Sequence, residues 1–272
     1  MSSSPLHPAA SLLCAATVAF TLAGCASLNQ LPAERYQSVT PFSVAQSNGD
    51  LPGGWRPWRL SRLKKLTSYA LVNYNGTVVV KAMSAASASG LVHALDIDPR
   101  ELPILRWRWK VPQLIPGADN ARRNGEDAPV RIILSFAGDI PSLPLEDRLF
   151  YERVEAVTGH KMPYATLMYI WENHAPRGSI IANPHSPRIQ MVVAETGSMR
   201  TGTWKAESRN VYEDYKRAFG AEPGRITAIA IMTDTDNTGT SVEAYYGDIE
   251  FISAHGQPNP LPARRATSEG LR

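Results

Sequence analysis

Apolar and polar side chains alternate with a period of two along much of the chain between residues 42 and 254. In the clearest run, residues 105–111, a leucine, two tryptophans and a valine alternate with Arg106, Arg108 and Lys110. This alternation predicts a β-strand with one buried face and one face that carries the three cations. Runs rich in β-branched and aromatic residues predict seven further strands, at 69–74, 77–83, 130–136, 165–171, 189–194, 226–232 and 242–251.

Turn and helix signals lie between these strands. The pair Asn75-Gly76 separates the first two of the seven, and it is a strong hairpin signal because both turn positions need a positive φ. Helical periodicity is confined to Leu145–Thr158 and Val211–Phe219. Many short strands with few helices indicate a mainly β fold, a two-sheet antiparallel β-sandwich of the jelly-roll type with one or two short helices.

The N-terminal segment has the organisation of an export signal. Residues 9–22 form an apolar stretch too short to span a bilayer, and Leu22-Ala23-Gly24-Cys25 follows directly. This order resembles a lipobox, which implies cleavage before Cys25 and its acylation with lipid chains of the palmitate type that hold the protein on a membrane. The first eight residues contain no Lys or Arg, so a plain secretory signal or a buried helix stays open.

These signals divide the chain into four parts. We expect a lipoprotein signal peptide at 1–24, a lipidated cysteine with a tether at 25–41, a β-sandwich domain at 42–254 and a flexible, proline-containing tail at 255–272. Ala26, rather than Asp, follows the cysteine, which by analogy is typical of lipoproteins of the outer membrane. We therefore expect the protein to lie on the periplasmic side of the outer membrane and to be held there by its lipid anchor.

Composition and charge narrow the function classes. The 28 basic and 25 acidic residues are mixed along the sequence and leave a net charge of +3, which argues against nucleic acid as a partner. The only cysteines are Cys14, within the apolar stretch, and Cys25. The mature domain therefore has no thiol for a disulfide, a metal or a nucleophile.

Several motifs resemble a known family. LPGGWRPWRL, SASGLV, LRWRWKV, MPYATLMYIWEN and above all MTDTDNTG followed by AYYGDI are similar, in this order, to the bacterial family "domain of unknown function 3047". The resemblance runs from about Phe42 to Ile252 and implies no known activity. More distantly, a Trp-rich opening, a SASGL run and a closing YYGDI strand resemble carbohydrate-binding jelly rolls of the galactose-binding-like type. That second resemblance implies a carbohydrate-binding sandwich.

The cations of residues 105–111 need counter-charges if they are buried, because an unpaired buried charge is costly. Arg131 would join them, and the candidate carboxylates are Asp127, Glu172, Asp234, Asp236 and Asp248. Two interpretations stay open: a polar floor that binds a sugar or an anionic group, or a structural salt-bridge ladder on a solvated sheet face. The residues predicted to bind a ligand are Arg106, Arg108, Lys110, Asp127, Arg131, Glu172, Asp234, Asp236, Asn237 and Tyr246.

The run 234–239 places oxygen side chains at alternate positions. Asp234, Asp236 and Thr238 precede Gly239, an arrangement that suits a hard cation such as calcium. An EF-hand is excluded because Tyr245 stands where that loop needs a bidentate Glu. Without a cation, the Asp and Asn side chains cap the turn by themselves. No other cofactor is expected.

Aromatic residues give a further set of candidates. Trp55, Trp58 and Trp204 lie near Gly or Pro in predicted loops, where their rings could stack on a sugar. Trp107 and Trp109 alternate with charges and are predicted to be core residues.

Together these patterns favour a non-catalytic module that binds a glycan or another polar ligand of the cell envelope. One alternative is a polysaccharide hydrolase with Glu172 and Asp234 as its carboxylate pair. Another is a scaffold that binds an envelope protein. The sequence contains no G-x-S-x-G elbow, H-E-x-x-H helix or P-loop, and the spacing of His160, His174 and His185 fits no zinc site, so the balance is against an enzyme.

Overall fold

Two β-sheets pack face to face in this protein, for which a computed structural model describes residues 34–256. These residues contain two α-helices, α1 (Leu145–Thr158) and α2 (Val211–Phe219). They also contain twelve strands: β1 (Trp55–Arg59), β2 (Ser68–Tyr74), β3 (Thr77–Ala85), β4 (Ala88–Ile97), β5 (Ile104–Lys110), β6 (Arg131–Phe136), β7 (Ala165–Glu172), β8 (Ile180–Asn183), β9 (Ser186–Thr196), β10 (Trp204–Asn210), β11 (Ile226–Asp234) and β12 (Ser241–Ile252).

The larger sheet has seven strands in the order β1-β4-β11-β6-β7-β9-β8, and the smaller has five in the order β10-β5-β12-β3-β2. Neighbouring strands are antiparallel, except that β7 and β9 run parallel. The predicted mainly β, two-sheet jelly-roll-like fold is therefore confirmed, with one parallel pair as a departure from the expected antiparallel sheets.

The hairpin predicted at Asn75-Gly76 joins β2 and β3. Asn75 has φ 52° and Gly76 has φ 85°, the left-handed conformation that a tight two-residue turn requires. Tyr74 and Thr77 are the first paired residues on either side of the turn. This local prediction is confirmed.

Both helices have the predicted bounds. The side chain of Asn210 accepts a hydrogen bond from the backbone N–H of Glu213 and so caps the start of α2. Helix α1 ends at Gly159 and α2 ends at Gly220, each in the left-handed conformation that glycine adopts without strain.

Four strands do not show the alternation used for prediction. Nine of the ten residues of β4 are buried, so small and apolar side chains occupy both of its faces. Strand β10 is a polar edge strand, β8 has only four residues, and β1 contains Pro57 at a sheet edge. In these strands, tertiary position decides the structure more than the local pattern does.

The main core lies between the two sheets. Trp107 and Trp109 project inward from β5, and their ring centroids are 5.3 Å apart. The Trp107 ring also lies 5.0 Å from Tyr169 of β7, and Trp109 lies 6.4 Å from Trp171. The prediction that both β5 tryptophans are core residues is confirmed.

A second layer of apolar side chains covers the other face of the seven-stranded sheet. Its centre is formed by Ile133, Met168, Met191 and Met232, all of which are buried. Because this face is also apolar, β6, β7 and β9 lack a solvated side over much of their length. Arg131 is a fully buried charged residue in this setting.

The domain begins earlier than the predicted boundary at Phe42. Tyr36 forms a parallel bridge with Leu95, its N–H donates to Ala94 O at 3.3 Å, and its ring packs 4.8 Å from His93. Residues 36–40, assigned to the tether from the sequence, therefore belong to the folded domain. The predicted signal peptide, Cys25 and nearly all of the predicted tail at 255–272 lie outside the described residues. Within 34–256, no helix is long and apolar enough to cross a membrane.

Candidate functional site

One row of alternating aromatic and cationic residues crosses four strands on the outer face of the five-stranded sheet. Trp204 of β10 lies opposite Lys110 of β5, which lies opposite Tyr245 of β12. Tyr245 in turn lies opposite Lys81 of β3. Because directly opposed residues of paired strands project to the same side, these four side chains form one continuous surface. All four are partly exposed.

The aromatic rings of this surface contact each other. Tyr74, at the end of β2, lies 5.5 Å from Trp204 and 5.4 Å from Tyr245, in edge-on geometry, while Trp204 and Tyr245 are 6.4 Å apart. We name the surface formed by Tyr74, Lys81, Arg108, Lys110, Trp204, Glu243 and Tyr245 the aromatic–cation face. Rings that are packed and partly exposed offer a rigid apolar surface at low cost in side-chain entropy.

Two cations are held among the rings. The Lys110 ammonium donates a 2.6 Å hydrogen bond to the Tyr74 hydroxyl and lies 4.9 Å from the centre of the Tyr74 ring. The Arg108 guanidinium lies 5.0 Å from the Trp204 ring. Cation–π attraction of this kind contributes about 0.5–1 kcal/mol at exposed sites, and it fixes where each charge sits.

A third cation on the face has its own counter-charge. Lys81 pairs with Glu243 at 2.6 Å, and the Tyr245 hydroxyl donates to the same carboxylate at 2.5 Å. The hydrogen bond from Lys81 lowers the pKa of Glu243 and raises that of Lys81. The charges of Lys81 and Glu243 therefore cancel, and the net positive charge of the face comes from Arg108 and Lys110.

A groove of about 610 Å³ continues from Arg108 toward the other end of the sheet. Arg106, Arg108, Ser208 and Glu250 line it, together with Asp248. Arg106 lies opposite Glu250 in the strand register. The Asp248 carboxylate accepts hydrogen bonds from the N–H and the hydroxyl of Ser43, so it fastens the N-terminal segment to the sheet.

The expectation that Arg131 shares a surface with Arg106, Arg108 and Lys110 is wrong. Arg131 projects from β6 into the outer layer of the seven-stranded sheet, whereas the other three project from the opposite side of the sandwich. The Arg131 guanidinium donates to Asp234 through Nε at 3.0 Å and through Nη2 at 3.2 Å. It also pairs with Glu126 at 3.1 Å.

The charged state of this pair reflects its burial. Loss of hydration raises the pKa of Asp234 to about 6 and outweighs the attraction of Arg131. Burial also lowers the pKa of Arg131, but Asp234 and Glu126 outweigh that effect and hold it above its ordinary value. Arg131 therefore stays charged, and the structural salt-bridge interpretation fits it better than a ligand-binding role.

Several other predicted ligand residues belong to the same buried network. Asp127 accepts backbone N–H bonds from Asn237 at 3.2 Å and from Thr238 at 2.7 Å, so it closes the turn after β11. Asp236 pairs with Lys64. Carboxylate oxygens of Asp127, Asp234 and Asp236 lie within 4.8 Å of one another. Two of the predicted metal ligands, Asp234 and Asp236, are therefore close together. The third member of the cluster is Asp127, whereas the sequence predicted Thr238.

These three carboxylates are already engaged by protein groups. Asp234 binds Arg131, Asp236 binds Lys64, and Asp127 accepts two backbone amides. The Thr238 hydroxyl bonds to that of Thr240 at 2.9 Å. The arrangement acts as an ion-pair clamp that ties the turn at 235–240 to the loop at 61–66 and to β6.

Glu172 and Tyr246 are also buried. The Glu172 carboxylate accepts backbone N–H bonds from His174 and, at 2.7 Å, from Ala175. Tyr246 lies between the sheets, where its hydroxyl donates to Met232 O at 2.6 Å, and burial raises its pKa above the ordinary range. Neither side chain is available to a ligand on the five-stranded sheet, so their assignment to that surface is wrong.

The structure also separates the three tryptophans proposed for stacking. Trp55 is buried and donates to Thr40 O at 2.8 Å, so the expectation of an exposed ring is wrong there. Trp58 is half-buried against the outer layer of the seven-stranded sheet. Only Trp204 lies on the aromatic–cation face.

Four residues of that face were not predicted to bind: Tyr74, Lys81, Glu243 and Tyr245. The alternation of Glu243 with Tyr245 on β12 is a local signal of a shared face. Their proximity to Lys110, however, depends on the pairing of β12 with β5, which the sequence pattern does not reveal.

Comparisons with known proteins give distant structural likenesses. A β-1,2-glucanase from Parabacteroides distasonis aligns over 81% of this chain and 25% of its own, with 10% identity and a TM-score of 0.38. The family 30 carbohydrate-binding module of a cellulosomal cellulase of Clostridium thermocellum aligns over 81% of this chain and 95% of its own, with 11% identity and a TM-score of 0.32. An ENZbleach xylanase mutant aligns over 88% and 95%, with 8% identity and a TM-score of 0.40.

The chain spans about a quarter of the length of the glucanase. The comparison with curated proteins finds no match. A family model described as "protein of unknown function (DUF3047)" matches residues 53–250. The chain therefore belongs to the DUF3047 family.

Proposed function

We propose that this protein is a non-catalytic glycan-binding module whose ligand stacks on the aromatic–cation face. The observation that carries the proposal is the row Trp204, Lys110, Tyr245 and Lys81, with the Tyr74 ring packed against it. Sugars present apolar C–H faces and a rim of hydroxyl groups, so they are matched by partly exposed rings beside charged hydrogen-bond donors.

The hydrolase alternative has weaker support. Register places Glu172 and Asp234 on the same face of the seven-stranded sheet, separated by β6, which corresponds to about 10 Å between their Cα atoms. Asp234 is bound to Arg131, and Glu172 is bound to two backbone amides. A glycosidase pair needs both carboxylates free to reach the sugar, and both of these are buried.

The direct test is a screen for glycan binding. The full protein would be isolated from cell membranes with a detergent that has no sugar headgroup. We would measure binding to peptidoglycan fragments and bacterial polysaccharides, with product analysis for every sugar bound. The proposal predicts binding without cleavage. Cleavage would support the hydrolase, and no binding to any glycan would favour the protein scaffold.

Variants of the aromatic rings sharpen this test. Trp204→Ala and Tyr245→Ala should each weaken binding roughly 5- to 150-fold, because loss of a stacking ring costs about 1–3 kcal/mol when a planar ligand face is held. Tyr212→Ala is a matched control, since Tyr212 is a partly exposed tyrosine on α2, away from the face. Equal effects of Tyr245→Ala and Tyr212→Ala would contradict the proposed surface.

We also propose that the module is attached to the outer membrane through Cys25. The support is the sequence order Leu22-Ala23-Gly24-Cys25 after an apolar stretch. Cys25→Ala should give a soluble periplasmic protein or an unprocessed precursor in cell fractionation. Unchanged membrane attachment of a processed Cys25→Ala protein would overturn this assignment.

A further inference from the structure

We infer that the ligand is an acidic glycan, whose carboxylate or phosphate group binds between Arg108 and Lys110. This inference rests on the proposed glycan-binding function and names the chemical class of its ligand. It follows from the charge balance of the aromatic–cation face, from the way its two unpaired cations are fixed, and from their spacing.

The charge balance leaves Arg108 and Lys110 without a carboxylate in ion-pair contact. Lys81 and Glu243 neutralise each other on the same face, but none of the ion pairs found among residues 34–256 includes Arg108 or Lys110. Two adjacent unpaired cations repel each other at a partly dehydrated aromatic surface. A bound anionic group would relieve that repulsion, whereas a neutral sugar would not.

Arg108 is held in place from two sides. Trp204 packs on one side of its guanidinium, and on the other its side chain lies across Gly247, in the β-bulge of β12. A Cβ atom at position 247 would come within 2.4 Å of both Cγ and Nε of Arg108. The bulge and the glycine therefore leave room for the arginine to lie flat against the sheet, with its fork of N–H donors fixed beforehand.

Lys110 is held in a comparable way. Its ammonium has three N–H donors, and the Tyr74 hydroxyl takes one of them at 2.6 Å. The rings of Tyr74 and Tyr245 lie 4.9 Å and 6.0 Å from the ammonium. Donors remain for a ligand, and the charge cannot move far from the rings.

The spacing of the two cations suits one anionic group. Arg108 and Lys110 are two residues apart on the same face of β5, which corresponds to about 7 Å between their Cα atoms. Arginine binds carboxylate or phosphate oxygens in a bidentate manner, and lysine adds a point charge from the side. A sugar ring stacked on Trp204 or Tyr245 would carry such a substituent directly to this pair.

The neighbouring Arg106 likewise forms no ion pair among residues 34–256, but no aromatic ring in this part of the chain fixes its guanidinium as rings fix Arg108 and Lys110. It lies opposite Glu250 and is exposed at the groove beyond Arg108. The inference therefore concerns Arg108 and Lys110, and it excludes a general attraction of the whole strand to anions.

The test uses matched pairs of glycans and the purified full protein in sugar-free detergent. Calorimetry would compare oligogalacturonate and oligomannuronate with their methyl esters, muropeptides with their amidated forms, and a phosphorylated mannan with the dephosphorylated polymer. In at least one pair, the acidic member should bind at least tenfold more tightly, with an affinity that falls as salt concentration rises. The carboxylated and phosphorylated pairs distinguish the two sources of the charge.

Variants assign the charge effect to this site. Arg108→Gln and Lys110→Gln should each reduce the ratio of acidic to neutral affinity at least tenfold. Gly247→Ala should reduce the same ratio without removing any charge, because its methyl group displaces the Arg108 side chain. Lys161→Gln is the matched control, since it removes one exposed positive charge in the loop before β7.

Each outcome decides a separate point. If only neutral members bind, or if both members of every pair bind equally, the acidic-ligand inference is overturned while the glycan-binding function stands. If no member of any pair binds, both fail. If inorganic phosphate alone competes as well as the acidic glycan, the site takes a free anion and the glycan assignment is wrong.

Discussion

Arg131 and Asp234 form a two-pronged ion pair that is removed from solvent, with the arginine side chain fully buried and the aspartate 6% exposed. The pair joins β6 to β11 at one end of the seven-stranded sheet, where Glu126 provides a second carboxylate. Removal of the arginine alone would leave two carboxylates without their shared counter-charge. The loss of a single partner should therefore cost more than the loss of the pair.

We predict that Arg131→Leu lowers the free energy of unfolding by about 3–5 kcal/mol, the range for breaking a buried ion pair. The double variant Arg131→Leu with Asp234→Leu should lose less than the sum of the two single variants. Urea unfolding of the four proteins measures both quantities. Arg225→Gln, which breaks an exposed pair with Asp96, should cost less than about 1 kcal/mol. Additive effects of Arg131→Leu and Asp234→Leu would show that the pair does not act as a unit.

The raised pKa of Asp234 predicts a pH dependence of stability. Its pKa is about 6 in the folded protein, against about 3.9 in an unfolded chain. Between these values the folded state binds an extra proton, so the contribution of this group to stability is complete below about pH 4 and is lost as pH rises through 6. Relative to Asp234→Asn, the wild-type protein should lose stability from pH 4 to pH 6.5.

The measurement is chemical unfolding of both proteins at half-unit steps of pH. The difference between their free energies of unfolding removes the contribution of titrating groups that do not interact with Asp234. Parallel curves over this range would mean that the folded pKa of Asp234 is close to that of the unfolded chain.

Calcium should have little effect on the stability of this protein. The three clustered carboxylates already have partners in the protein. Asp234 binds Arg131, Asp236 binds Lys64, and Asp127 accepts two backbone amides. A cation would have to displace them. A ligand that binds only the folded state at 100 times its dissociation constant adds about 2.7 kcal/mol, which thermal unfolding detects readily. We expect no such shift between calcium and chelator. A saturating rise in Tm that Asp127→Asn abolishes would instead identify a calcium site.

Gly90, the third residue of β4, leaves no room for a side chain. A Cβ atom there would approach Ile231 O to 2.5 Å and the Trp58 ring to 3.1 Å. Because the first contact is with the backbone of the paired strand β11, a side-chain rotation cannot relieve it. Gly90→Ala should therefore lower the free energy of unfolding by about 1–3 kcal/mol, as overpacking does.

Gly53→Ala is the matched control for this change. Gly53 is exposed, and an added Cβ meets no atom within 4 Å. Its effect in the same urea titration should stay within about 0.5 kcal/mol. Comparable losses in the two variants would show that the crowding at Gly90 is relieved by local movement.

Local features of the fold follow from the sequence because they depend on a few adjacent residues. Asn75-Gly76 specifies its turn through backbone conformations that other residues adopt only with strain. Gly159 and Gly220 end the two helices for the same reason. Alternation likewise places Arg106, Arg108 and Lys110 on one face of β5, since successive side chains of a strand point to opposite sides.

The candidate site could not be obtained in this way. Alternation separates two faces of a strand but does not say which face is covered. Arg131 has an apolar residue on either side, as Arg108 does, yet the outer layer of the seven-stranded sheet buries it. Tyr245 and Tyr246 are adjacent, so one must point inward, and the packing of β12 on the core makes it Tyr246.

The sequence by itself determined the fold class, the hairpin, both helices and the common face of three cations. The tertiary structure alone decided that Trp204, Lys110, Tyr245 and Lys81 form a row, because their strands are far apart in the chain. Pairing between distant strands is selected by the packing of the whole sandwich, and each strand offers many alternative partners with similar local energy. For that reason the strands that carry the site residues can be predicted from the sequence, while the position of these residues next to one another depends on the fold.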